Sequence, residues 1–280
     1  MSTGHILLLG AIAGSTIFLG LPMSRVRSLS ANARAGLSAL ATGILVFLLW
    51  DVLTNAVDPI DSALHAHHWG RFGELAALGA AGFTAGLMSL VYYDAWMKRR
   101  ANRRATTLVG PGAAAVDEFT HRGHFDLTTP AVRLAFLISI GIGVHNFGEG
   151  LAIGQAAAAN EISLAVTLII GFGLHNATEG FGICGPLTGE GIRPSWRLLA
   201  ILGLIGGVPT FLGTVVGQAW TSAAVSVVFF TIAGGSILYV VQELFAVNRK
   251  YGNPVLITWL MLAGILAGFG TDFIVTAAGV

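Results

Sequence analysis

Apolar runs long enough to cross a hydrocarbon core recur along this chain, and that recurrence restricts the fold more than any other feature. A core about 30 Å thick needs about 20 residues of helix. Eight segments meet that need: 4–22, 32–56, 72–96, 130–158, 162–184, 196–218, 222–247 and 255–278. The expected fold class is an all-α integral membrane protein with eight transmembrane helices. Composition agrees, since 54% of the 280 residues are hydrophobic and 10% are charged, against roughly 25% charged in soluble domains. The 38 glycines suit close helix packing in lipid. The first run, Ile6 to Leu21, has no basic flank before it and reads as a span, not a cleaved signal. Residues 1–280 read as a single transmembrane domain.

The basic residues test this count. With the N-terminus outside, the inner loops are 23–31, 97–129, 185–195 and 248–254. Of the 15 Lys and Arg, all but Arg71 fall in those loops or at the inner ends of the adjoining helices. The positive-inside rule demands this asymmetry, and a miscount by one helix would scramble it. Both termini are therefore expected on the outer side of a multi-pass cell-membrane protein, with 97–129 a cytoplasmic loop between helices three and four. The basic stretch from Lys98 to Arg104 reads as a topology anchor against anionic lipid. A net charge of +1 gives no sign of nucleic acid. The lone cysteine, Cys184, excludes an internal disulfide and a cysteine-built zinc cluster.

The chemistry lies in a repeat. Helix four reads G-I-G-V-H-N-F-G-E-G-L-A-I (141–153) and helix five reads G-F-G-L-H-N-A-T-E-G-F-G-I (171–183). Among the identities in register are His145/His175, Asn146/Asn176, Glu149/Glu179 and Gly150/Gly180. Chance likeness between apolar helices would match Leu and Ala, not these polar types. His and Glu at i and i+4 share one helix face. His145 and His175 lie equally far along the chain from a turn near Asn160, so in an antiparallel pair both sit about 22 Å from that turn. Glu149 is then expected one turn outward of them and Glu179 one turn inward, giving a column of ligands. A carboxylate in hydrocarbon is costly unless paired, and no Lys or Arg lies nearby in these spans. A divalent cation supplies the missing charge. Imidazole with carboxylate suits Zn2+ first, with Cd2+, Fe2+ and Mn2+ as further candidates. The Asn carbonyls suit a transient ion better than a locked structural one. Simple hydrogen bonding between helices is the competing use of these groups.

The pair H-N-F-G-E-G and H-N-A-T-E-G resembles the H-N-x-P-E-G motifs on the fourth and fifth helices of the ZIP (Zrt-, Irt-like) metal transporters. Eight spans, outward termini and a long loop after helix three are similar to that family as well. The resemblance implies uptake of zinc or a similar ion into the cytoplasm, metal ligands at His145, Asn146, Glu149, His175, Asn176 and Glu179, and a homodimer. Two features depart from the family pattern. Gly148 and Thr178 stand where it carries proline, and helix six (G-L-I-G-G-V-P-T-F-L-G, 203–213) lacks the acid of two-metal relatives, leaving Thr210 as a weak substitute. One metal site is expected rather than two.

Other polar residues are candidates for supporting parts. Asp51 and Asn55 on helix two are candidates to line the path or steady its ligands, and Glu243 on helix seven to help ions leave. Asp272 and Asp94 read as groups near the interface. His65, His67 and His68, in an expected outer loop 58–68, are candidates for collecting metal at the entrance; His121 and His124, in the inner loop, for receiving it. The main alternatives are an intramembrane metal-dependent enzyme and a metal sensor that does not transport. The first needs an open metal position and a separate base, but there is no H-E-x-x-H and the ligands form a column. The second would be expected to carry a sizeable soluble module, which no loop is long enough to form. The expectation is a transporter, not an enzyme.

Overall fold

The computed structural model describes residues 3–26, 30–107, 129–158, 162–219 and 222–277. These form eight long helical segments and, among the described residues, no strand. The first, α1, is broken: Thr3–Ser15, Ile17–Gly20 and a 3-10 turn Leu21–Arg25. The others are α2 (Ala31–His65), α3 (Trp69–Thr107), α4 (Pro130–Ala158), α5 (Ile162–Gly189), α6 (Trp196–Ala219), α7 (Ala223–Arg249) and α8 (Pro254–Ala277). Seven of these segments are long and apolar enough to span a membrane by length and composition, and α5, with 28 residues, is the eighth long helix.

Local chemistry sets several boundaries. Ser30, Ser195 and Asn253 accept backbone N–H groups from the first turns of α2, α6 and α8, satisfying donors that a helix start leaves free. Gly191 and Gly252 adopt φ +69 just past the ends of α5 and α7, the left-handed stop that glycine accepts most readily. Two helices run further than their hydropathy suggests. The expected outer loop 58–68 is helical as far as His65, with Pro59 inside α2, and the expected inner loop 97–129 begins as helix, α3 reaching Thr107. Polar composition marked both segments as loops, but a helix does not have to end where its apolar face does.

The helices α2, α4, α5 and α7 form an inner ring, each packing on two others, while α1 and α6 lie against α5 and α4, and α3 and α8 against α7 and α2. These main contacts map onto themselves when the first three helices are exchanged with the last three and α4 with α5. Glycine crossings make the match residue-specific. A Cβ on Gly150 of α4 would strike the Thr210 carbonyl of α6, and one on Gly180 of α5 would strike the Ile17 carbonyl of α1. Gly213 against Phe147 repeats Gly20 against Ala177, and Gly14 and Gly207 face each other across the middle. Gly43 against Met261 repeats Gly235 against Phe83 in the same way. The motif repeat is thus one part of an inverted repeat that covers the whole bundle.

The helix ends that carry the basic residues meet at one end of the bundle. Arg25 hydrogen-bonds the Pro194 carbonyl, Arg133 and Lys98 meet at Asp94, and Tyr251 packs on Gly189. Burial and the nearby Glu190 carboxylate push the Tyr251 hydroxyl above the usual phenol range.

Candidate metal centre

Both motifs face the interior. Gly148 does not interrupt α4; the Phe230 ring of α7 fills the space its side chain would take. His145, Asn146, Glu149, Asn176 and Glu179 are all at most 3% exposed. The backbone of His175 belongs to α5, but its side chain lies outside the described set.

The centre is built on one imidazole nitrogen. His145 Nε2 is 3.3 Å from Glu149 Oε1, one turn along its own helix. It is also 3.8 Å from Glu179 Oε1 on α5. His145 Nε2 therefore lies within 4 Å of both carboxylates. The long Glu side chains reach toward it, however, and turn the expected column into a cluster. Asp51 of α2 interacts electrostatically with His145, Glu149 and Glu179. Asn55 donates from Nδ2 to the carbonyl and the carboxylate of Asp51, at 2.9 and 3.3 Å, which steadies that acid from one turn away. Asp51 thus adds a third negative charge felt at this imidazole, and among the described residues Asp51 and Glu149 have no Lys or Arg ion pair. Among the described residues, no three such side chains yet stand in the arrangement of a formed metal shell.

The two Asn side chains are set by the inverted repeat. Asn146 Nδ2 donates to the Gly206 carbonyl of α6 at 3.0 Å, and Asn176 Nδ2 donates to the Ala13 carbonyl of α1 at 3.1 Å. Each amide nitrogen is thus occupied, and each Oδ1 is buried with no hydrogen-bond partner. A buried acceptor left unsatisfied is costly, and a cation would satisfy it. Thr210, also buried with Oγ1 unpartnered, sits where α6 crosses Gly150, the residue after Glu149.

Other candidates lie apart from it. Glu243 lines a cavity of about 240 Å³ at the basic end, together with Asp94, Lys98, Arg133, Pro186 and Glu190. Pro186 stands two turns beyond Glu179 on α5, or about 10 Å. His65, His67 and His68 are exposed around the α2–α3 turn. His67 takes φ +57 there, with Nδ1 3.3 Å from the Leu64 carbonyl, so its ring serves the turn. His121 and His124 lie outside the described residues. Cys184 donates Sγ to the Leu21 carbonyl in the core, which is a packing role. Sequence reasoning missed the ion pair of Asp94. That carboxylate is buried, 2.7 Å from Arg133 Nε and 2.6 Å from Lys98 Nζ. The i,i+4 spacing to Lys98 was visible in the sequence, but nothing there points to Arg133.

A family model described as ZIP zinc transporter matches residues 1–276. No curated protein matches the chain.

Proposed function

The chain belongs to the ZIP zinc transporter family, and from that premise we propose that it carries zinc into the cytoplasm through the His145–Glu149–Glu179 cluster between α4 and α5. Membership makes it a divalent-metal transporter of the membrane. The observation that carries the finer reading is His145 Nε2, held within 4 Å of carboxylates from two helices in a buried centre. Carboxylates that stay ionised in a dry core require a compensating cation, and the unpartnered Asn146 and Asn176 oxygens supply neutral donors beside them. Imidazole, carboxylate and amide oxygen together favour Zn2+ among divalent ions, with Cd2+, Fe2+ and Mn2+ behind it. Such a mixed donor set strips water from an ion yet lets it go. The basic ends of the helices face the cytoplasm on this reading, both termini face outward, and the protein works as a homodimer in the cell membrane. His175 completes the ligand set from α5. Zinc uptake into proteoliposomes should fall sharply for Glu149→Ala and for Glu179→Ala; undiminished flux in both would sink the assignment.

A further inference from the structure

Resting on the transport reading above, we propose that Arg133 and Asp94 form a latch that closes the basic end of the helix ring and parts when an ion leaves there. The cavity at that end is walled by α3, α4, α5 and α7, and Arg133 reaches from α4 to Asp94 on α3. Both side chains are almost fully buried, at 11% and 7% exposure. Lys98 binds the other carboxylate oxygen from the more exposed side, and the Tyr239 hydroxyl of α7 hydrogen-bonds the same acid. Among the described residues, α3 and α4 otherwise make little contact. Both helices pack on α7, and the ion pair is their main direct link among the described residues.

The inverted repeat supplies an internal control. Asp94 follows Gly86 on α3 by the same interval as Asp272 follows Gly264 on α8, and these glycines make equivalent crossings. Asp272 is thus the counterpart of Asp94. Among the described residues it has no Lys or Arg partner, and its helix packs directly on α5. The motif register places Ser163 opposite Arg133, so the second half carries no matching cation. One half joins its helices by packing, and the other joins them by a charge pair. A buried charge pair is weak as general glue because desolvation offsets its attraction, but it suits a contact that must be either made or broken. The groups facing Arg133 across the cavity are Asp94, Glu190 and Glu243, with Lys98 and Lys250 at the rim. An arriving divalent ion would compete with Arg133 for those acids and so favour the parted state.

The test reads opening directly and involves no metal. Ala131 lines the cavity at 2% exposure. The full-length Ala131→Cys, Cys184→Ser protein in nanodiscs would be labelled with a bulky charged maleimide. Labelling should be slow with the latch intact and roughly tenfold faster in Arg133→Gln or Asp94→Asn, as expected when a minor open state becomes common. Combining the two should add little. The charge swap Arg133→Asp with Asp94→Arg should return labelling toward the slow rate. Arg133→Lys, which keeps the charge, should label slowly, and serves if the Gln variant does not fold. Unchanged rates in Arg133→Gln and Asp94→Asn, additive effects in the double variant, or fast labelling in Arg133→Lys would each overturn the latch. Zinc flux of the parent in proteoliposomes is measured alongside. Absent flux with latch-dependent labelling would refute the transport reading alone; normal flux with indifferent labelling would refute the latch alone.

Discussion

Two acidic pairs, related by the inverted repeat, sit in opposite electrostatic settings. Asp51 and Asp272, on α2 and α8, interact with each other and have no Lys or Arg ion pair among the described residues. Glu243 and Asp94, on α7 and α3, line the basic-end cavity, where Arg133 and Lys98 hold Asp94. Each acid follows its own crossing glycine by the same interval: Gly43 to Asp51, Gly235 to Glu243, Gly86 to Asp94 and Gly264 to Asp272. The backbone thus offers a carboxylate pair toward each end, and the cations make the two pairs differ. Asp51 adds negative charge beside the centre, where a cation is wanted, while the pair at the basic end is already partly neutralised. On the transport reading, the first favours capture and the second favours release.

The sharpest way to break this comparison is to remove a carboxylate that belongs to the centre itself. Glu179→Gln should lower zinc flux on the order of 100-fold, with the protein still folded by size-exclusion chromatography, because it removes a charge from the dry core. A smaller loss than that of Glu243→Gln would reverse the order of importance assigned to the two regions.

The repeat can be probed through stability. Gly150→Ala and Gly180→Ala each push a methyl into a carbonyl of the crossing helix and should each cost about 1–3 kcal/mol, seen as matching falls in thermal denaturation temperature in detergent. Gly270→Ala, with open space around it, should change little. Unequal losses at Gly150 and Gly180 would show that the two halves do not bear load alike.

A smaller effect separates the two acidic pairs by equilibrium binding. Asp51→Asn should weaken zinc affinity about tenfold, as loss of a supporting carboxylate does, while Glu243→Gln should leave equilibrium affinity within about twofold, since it lies beyond the centre. Calorimetric titration decides this. The smallest effect is expected at the α2–α3 turn. Replacing His65, His67 and His68 together with Ala should change flux less than about twofold, because they are exposed and His67 is used by the turn.

Much of the fold was legible because membrane helices announce themselves by length and apolarity, and because the paired motifs share residue types that lipid-facing positions would not keep. The C-terminal ends of α2 and α3 were not legible: Asp58, Pro59 and the Lys98–Arg104 stretch look like loop but continue helices past the apolar core. The positions of His145, Glu149 and Glu179 along the chain put them at neighbouring levels in expectation but did not give their convergence on one nitrogen, which depends on side chains reaching across two helices. Arg133 was hidden for the same reason. It looks like one more basic residue at a helix end, and only the approach of α4 to α3 shows that it is buried against Asp94.

The most direct test of the central claim is anomalous diffraction at the zinc edge from zinc-soaked crystals of the wild-type protein. The account predicts an anomalous peak within bonding distance of His145 Nε2 and of carboxylate oxygens from Glu149 and Glu179. Zinc bound at the exposed His65–His68 turn or in the Glu243 cavity, with none at His145, would contradict it.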